Sequence, residues 1–385
     1  MNNRIYLDHA ATTPLSPAVL DAMMPFFTEN CGNPSAVYGT GRTARKAVET
    51  ARKQVASGIG AEAREILFTS GGSESDNLAI KGTAFAMRHR GSHIITTAIE
   101  HPAVLNTCRW LEKQGFEISR LMPDSCGRID PEDVEKAIRQ DTILISVMSA
   151  NNEIGTLEPV EAIGKIARKK GIPFHTDAVQ AVGAIPVDVK TWNADLLSIS
   201  AHKFGGPKGA GALYIRRGIK LDNLIHGGEQ ERGLRAGTEN VPAIVGFGKA
   251  IEDAVNRLDE HAGHTAALRD RLEMGIMAQT PDVRLNGPRG GRLPNNCSVS
   301  FSGIDGEALL LRLDLAGIAA SSGSACTAGS QETSHVLKAI GLKEELAKGT
   351  LRLTVGVENT EEEIDEAVRV IGGIVDDLRR MFLHS

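Results

Sequence analysis

Cysteine is scarce: among 385 residues there are five, Cys31, Cys108, Cys126, Cys297 and Cys326. The number is odd and no C-x-x-C pair occurs, which argues against a disulfide framework and against a zinc cluster, and leaves reduced thiols as the expectation. No run approaches the roughly 18 consecutive apolar residues that a membrane-spanning helix requires. The opening MNNRIYLDHAATTP has no basic segment leading into an apolar one, so the cytoplasm is the expected location, with no membrane partner. Charge of one sign is not concentrated either. The 43 basic and 48 acidic residues give a net charge of -5 without a long charged block, so no direct nucleic-acid surface is indicated. Internal repeats, low-complexity tracts, the G-K-[ST] of a Walker loop and G-x-G-x-x-G are all missing.

What is present is alternation. At roughly 150 residues per domain the length fits two domains. From about Glu65 to Tyr214 the short runs EILFTS, HIITTA, ILISVMS, IPFHTDA, DLLSIS and GALYIR are separated by stretches of helical periodicity. That pattern predicts an α/β fold with a mostly parallel sheet between helices, its functional residues lying where strands end. Beyond Val241 the chain reads as almost uninterrupted helix to Gln279, with Ile251, Val255, Leu258, Leu268, Leu272 and Ile276 near one stripe. The remainder, with strands SVSF and LRLTV and a last helix opened by the capping box Thr360 to Glu363, reads as a smaller α+β domain.

Three strand ends carry chemistry. In FTSGGSESDNLAIKG a strand runs into Gly71, Gly72 and Ser73 and then a helix with Glu74 in its first turn. Backbone N–H groups and the helix dipole would converge there on an anion; the plain alternative is a glycine turn with a serine N-cap. FHTDAVQAVG brings Asp177 to the end of an apolar strand, three residues before Gln180. A carboxylate arriving from such a strand needs a cationic or hydrogen-bonding partner, unless it is only an N-cap. SISAHKFGGPKGAG delivers Ser200, His202 and Lys203 beside a glycine-rich turn. A lysine in that place suits a Schiff base if its pKa is lowered; otherwise Lys203 and Lys208 are solvated loop charges. Groups able to hold a phosphate, a pyridinium and a carbonyl in one α/β domain together point to pyridoxal phosphate.

The segments YLDHAATTP, TSGGSESDNLAIKG, EHPAV, NNEIGT, FHTDAVQAVG, SAHKFGGPKG, GGEQERGLRAGTEN, SSGSACT and TEEEID resemble cysteine desulfurases of the NifS/IscS kind, from about Tyr6 to Asp365. Their first class carries the S-S-G-S-A-C-T loop. The resemblance implies a fold-type I pyridoxal-phosphate enzyme with a seven-stranded sheet, a large domain at 14–255, and a small domain made of 1–13 and 256–385 that carries the cysteine loop 321–330. It implies that Lys203 forms the Schiff base and moves the substrate α-proton, that Asp177 pairs with the pyridinium, that Gln180 bonds the phenolic oxygen and that His101 stacks on the ring. Pro102 at a helix N1 position would hold His101 at its turn. Gly72, Ser73, Ser200 and His202 would receive the phosphate, and Thr238 would reach it from the partner subunit of a homodimer. Asn152 and Arg352 would grip the carboxylate of L-cysteine, the arginine by a planar fork. No metal is implied. The sulfur acceptor would be an iron-sulfur scaffold or a tRNA-thiolation enzyme.

Within SSGSACTAGS the only thiol is surrounded by Ser, Gly, Ala and Thr, which offer little to pack against. The resemblance makes Cys326 the nucleophile that takes the substrate sulfur as a persulfide and hands it on, which requires a segment that moves in and out of the site. Ala328 and Val357 stand where many relatives have Ser and Arg. Cys31, Cys108, Cys126 and Cys297 are expected to be structural, as are His89, His93, His175 and His226.

Overall fold

In the computed structural model, which describes residues 4–322 and 333–383, a short β1 (Ile5–Tyr6) precedes the alternating region. That region forms β2 (Ile66–Thr69), β3 (His93–Thr97), β4 (Glu117–Leu121), β5 (Thr142–Ser146), β6 (Phe174–Asp177), β7 (Leu196–Ser200) and β8 (Gly211–Ile215). They make one seven-stranded sheet in the order β2-β8-β7-β6-β5-β3-β4. Only β8 runs antiparallel to its neighbours, β2 and β7; the rest pair in parallel. Both faces are covered, which is why the strands read as continuous apolar runs. Ile66, Phe68, Leu197 and Ile199 enter one core and Leu67 and Leu196 the other, each buried side chain contributing roughly 1.5–3 kcal/mol.

The remaining strands are β9 (Val283–Leu285), β10 (Asn296–Phe301), β11 (Ile318–Ala319) and β12 (Thr350–Thr354). An antiparallel sheet β12-β10-β9 and the parallel pair β1-β11 enclose a separate core. The helix Glu361–Leu383 covers it, and its expected capping box forms: the Thr360 N–H donates to Glu363 Oε2 and the Glu363 N–H to Thr360 Oγ1, both at 3.3 Å.

The long helix expected from Val241 to Gln279 is two helices, Val241–Asn256 and Leu258–Gln279, with non-helical Arg257 between them (φ -113°, ψ 18°). The apolar stripe divides at the same point. Ile251 packs in the large-sheet core, whereas Leu268, Leu272 and Ile276 pack in the second one. Neither glycine nor proline marks the break; it follows from each half serving a different core. Among the described residues no helix is long and apolar enough to cross a membrane.

The GGEQERGLRAGTEN segment is held by a buried ion pair. Arg52 donates from Nη1 to Glu231 Oε2 (2.7 Å) and from Nη2 to Oε1 (2.8 Å). Glu231 also accepts the Phe68 N–H of β2. Glu231 and Arg232 both adopt left-handed backbone (φ 46° and 61°), a conformation costly for non-glycine residues that persists where surroundings over-determine it. Glu231→Ala would leave the guanidinium and the Phe68 N–H without that acceptor. The expected cost is about 3–5 kcal/mol, read as a lower urea midpoint; a loss under about 1 kcal/mol would show the pair is not holding the segment.

Candidate active site

The C-terminal ends of β2, β5, β6 and β7, with the turn after β3, converge on a cavity of about 400 Å³. This is where open α/β sheets hold ligands. Gly72, Ser73, His101, Asn152, Asp177, Gln180, Ser200, His202, Lys203 and Arg352 all line it. Of the residues expected in the site, Thr238 is exposed and does not line this cavity. Cys326 lies outside the described residues.

At one end, β2 turns into the helix Gly72–Ala86. The cap is Gly71 (φ 152°), not a serine, and no side chain caps the helix, so its first-turn N–H groups remain available to an anion. A Cβ on Gly72 would fall 2.7 Å from Val179 Cγ2. Glu74 accepts the Ser70 N–H (2.8 Å) and a hydrogen bond from Arg235 Nε (2.9 Å). Ser200 and His202 line both the main cavity and an adjoining hollow that contains Thr12, Gly71, Lys208 and Gly209. His202 Nδ1 is 3.0 Å from Thr12 Oγ1. Burial, then Lys203 and Lys208, push the pKa of His202 down to about 4, so its ring is neutral.

Asp177 ends β6 and is buried; its Oδ1 accepts the Val179 N–H at 2.9 Å. Burial raises its pKa, opposed by His101, that N–H and Lys203. His101 caps the helix Pro102–Glu112, with Pro102 at the first position and Nδ1 accepting the Ala103 N–H (3.1 Å). Burial lowers the His101 pKa; Asp177 counteracts this and Lys203 adds to it.

The far wall is an N-terminal strap that sequence reading did not assign to the site. β1 pairs with β11 and Asp8 bridges to Thr354, which carries Ala10 and Ala11 over the cavity. Lys203 Nζ donates to Ala10 O (2.5 Å) and Ala11 O (2.8 Å), and Gln180 Nε2 to Ala10 O (3.0 Å). Arg352 on β12 is 2 % exposed; it donates to Asp8 Oδ1 (2.8 Å) and Asn152 O (3.2 Å). Its Nε is buried with no hydrogen-bond partner among the described residues. A ligand carboxylate would satisfy that donor.

Asp76, Met148, Glu153 and His335 also line the cavity. The residues flanking the stretch 323–332 are tied to its walls. Ser321 exchanges two backbone hydrogen bonds with Arg352 (2.7 and 3.2 Å). On the other side Ser334 caps the helix His335–Ala339 and donates its hydroxyl to Glu153. Burial pushes the Glu153 carboxyl up to about 7.

The other histidines and cysteines divide. His93 bonds Thr142 and Ser119 inside the sheet. Cys108 and Cys297 are buried and their thiols pushed up to about 12, which suits structural roles. Cys31 is exposed, so burial does not support the same reading for it.

The residues present fit pyridoxal phosphate: a buried carboxylate, a lysine amine and an uncapped helix N-terminus line one cavity. The aminotransferase class-V family profile matches residues 5–367. The cysteine desulfurase IscS of Methanosarcina thermophila is 55 % identical over 380 residues, covering 99 % of this chain and 94 % of that protein. A solved structure described as a NifS-like protein superposes with a TM-score of 0.92 at 42 % identity, covering 97 % of this chain and 99 % of that one. Another, SspA in complex with cysteine, gives a TM-score of 0.81 at 40 % identity over 92 % of this chain and 100 % of that one. A match that runs through both the large sheet and the second core, at more than half identity to a curated enzyme, makes this chain a member of the aminotransferase class-V family, among its pyridoxal-phosphate-dependent cysteine desulfurases.

Proposed function

We propose that this cavity is where L-cysteine loses its sulfur to Cys326, leaving alanine and a persulfide. One juxtaposition carries the reading: Asp177, Lys203, His101 and Arg352, whose Nε has no hydrogen-bond partner among the described residues, line one cavity, and Ser321 and Ser334, on either side of the stretch 323–332, bond to the lining residues Arg352 and Glu153. Bound pyridoxal phosphate supplies an electron sink for bonds at the substrate α-carbon.

The chain's own groups do the rest. The helix N-terminus at Gly72 and Ser73, with Ser200 and His202, would bind the phosphate. Asp177 would keep a proton on the ring nitrogen, its raised pKa falling back once a cation lies beside it. Gln180 would bond the phenolic oxygen and His101 lie against the ring. Lys203 Nζ would tether the group and carry the substrate α-proton. Asn152 and Arg352 would hold the substrate carboxylate. The Cys326 thiolate attacks the substrate sulfur; the C–S bond breaks, its electron pair stays with carbon, and that carbon takes a proton to become the methyl group of alanine. Sulfur is thereby retained on the chain for an acceptor, either an iron-sulfur scaffold or a tRNA-thiolation enzyme.

Two domains, 14–255 and 1–13 with 256–385, fit this division of labour, the second bringing Arg352 to the first and carrying Cys326 in its sequence. Incubation with L-cysteine should give alanine and protein-bound persulfide in equal amounts in the first turnover. Pyruvate formed from alanine and a keto acid, without persulfide, would make the chain an aminotransferase instead. Failure to bind pyridoxal phosphate would make it a catalytically silent scaffold.

Arg352→Lys replaces a fork with a point charge. The expected result is a KM for cysteine about 10- to 100-fold higher, the worth of roughly one charge-assisted hydrogen bond. An unchanged KM would move the carboxylate site elsewhere. The exposed Thr238 fits a homodimer in which each chain completes its neighbour's phosphate site. Thr238→Ala chains should then bind pyridoxal phosphate more weakly. They should recover wild-type affinity in mixed dimers with Lys203→Ala chains, which supply an intact Thr238. No recovery, or a fully active monomer, would contradict that arrangement.

A further inference from the structure

The proposed chemistry uses one buried aspartate and leaves another unexplained. Asp76 lies in the helix Gly72–Ala86, lines the same cavity as Asp177 and is 1 % exposed. Its Oδ1 is buried and has no hydrogen-bond partner among the described residues. His175 Nε2 lies 3.6 Å from it. His175 stands two residues before Asp177 on β6 and so shares its face of the sheet. Both its nitrogens already meet hydroxyls, Nδ1 at 2.8 Å from Ser146 Oγ and Nε2 at 3.0 Å from Ser198 Oγ. Complete burial pushes its pKa down to about 3, so the ring contributes no positive charge.

The groups that face Asp76 give an anion little support: the carboxyls of Asp177 and Glu100 oppose it, the imidazole of His175 is neutral, and the Ser198 hydroxyl is the one group favouring its charge. Burial and then Asp177 drive its pKa well upward, and Ser198 only partly offsets them. Asp177 is better placed, with the Val179 N–H on Oδ1 and with His101 and Lys203 both favouring its charge. Two neighbouring carboxyls in a low-dielectric site do not both ionise, and the proton stays with the one that has the weaker set of donors and cations around it. From this geometry we infer that Asp76 is a positioning residue that remains a neutral carboxylic acid, so that Asp177 alone is the anion presented to the cofactor ring. The assignment rests on the reading of Asp177 given above. Its consequence is that the pair keeps one negative charge, matched to one ring cation, instead of two.

The test is isotope-edited infrared spectroscopy of the holoprotein carrying 13C-labelled aspartate carboxyls, at about pH 7. The expected spectrum has an undissociated aspartic-acid C=O band that disappears in Asp76→Asn. In parallel, Asp76→Asn, which keeps a neutral group of the same shape, should bind pyridoxal phosphate within about threefold of wild type. A wild-type spectrum with no such band overturns the inference without need of any variant. So does a band that survives Asp76→Asn, or an affinity weakened about tenfold or more by that change, because either places the proton elsewhere. The spectrum is independent of turnover. A wild-type protein that shows the Asp76 band but makes no alanine from L-cysteine sinks the proposed function and supports the proton assignment.

Discussion

Lys203→Ala is expected to fold and to lose L-cysteine turnover by at least about 10²–10⁴-fold, the contribution of a positioned proton carrier alone. The loss is larger if tethering of the cofactor also matters to the rate. Stability should change little, because the truncation frees the Ala10 and Ala11 carbonyls toward the cavity, where water can replace Nζ. The variant should still take up pyridoxal phosphate through Asp177 and the Gly72 helix end, but release it on dialysis, whereas the wild type keeps it. An activity within about tenfold of wild type would remove Lys203 from its role.

Cys326→Ser carries the other large effect. A thiol with an ordinary pKa near 8.5 offers a few per cent of thiolate at about neutral pH, and that thiolate is the nucleophile. A serine hydroxyl offers almost none and is a poorer acceptor of sulfur. The variant should bind cofactor and L-cysteine as the wild type does and exchange the substrate α-proton with solvent, since Lys203 is intact. It should release no alanine and carry no persulfide. Wild-type desulfuration by this variant would make SSGSACTAGS a bystander. Separating α-proton exchange from alanine release also tells which of the two residues acts first.

Much of the site was legible because its residues sit at the ends of apolar strands or in the glycine turns after them. The strand-then-turn pattern singles out Gly72, Asp177, Ser200, His202 and Lys203 as candidates, whereas His101, Asn152 and Arg352 entered only through the resemblance. What was not legible depends on contacts distant in sequence. Ala10 and Ala11 reach the cavity only because β1 pairs with β11 and Asp8 bridges to Thr354. His335 arrives through a helix whose cap is tied to Glu153. Asp76 resembles any polar residue of a helix until its buried Oδ1, without a hydrogen-bond partner among the described residues, is seen. In the fold, β4 escaped the list of apolar runs because EISRL lies at the sheet edge with its side chains half-buried or exposed, so polar residues are tolerated there. The break at Arg257 left no glycine or proline to signal it, since two separate cores, not local propensity, set it.

The most direct measurement is a single turnover of the wild-type holoprotein with sub-stoichiometric L-cysteine, quenched with a thiol-alkylating reagent and mapped by peptide mass spectrometry. The expected result is one alanine per cysteine consumed, with one added sulfur atom on the peptide that contains Cys326 and none on those containing Cys31, Cys108, Cys126 or Cys297. Alanine appearing without sulfur on that peptide, or the sulfur appearing on another cysteine, would contradict it.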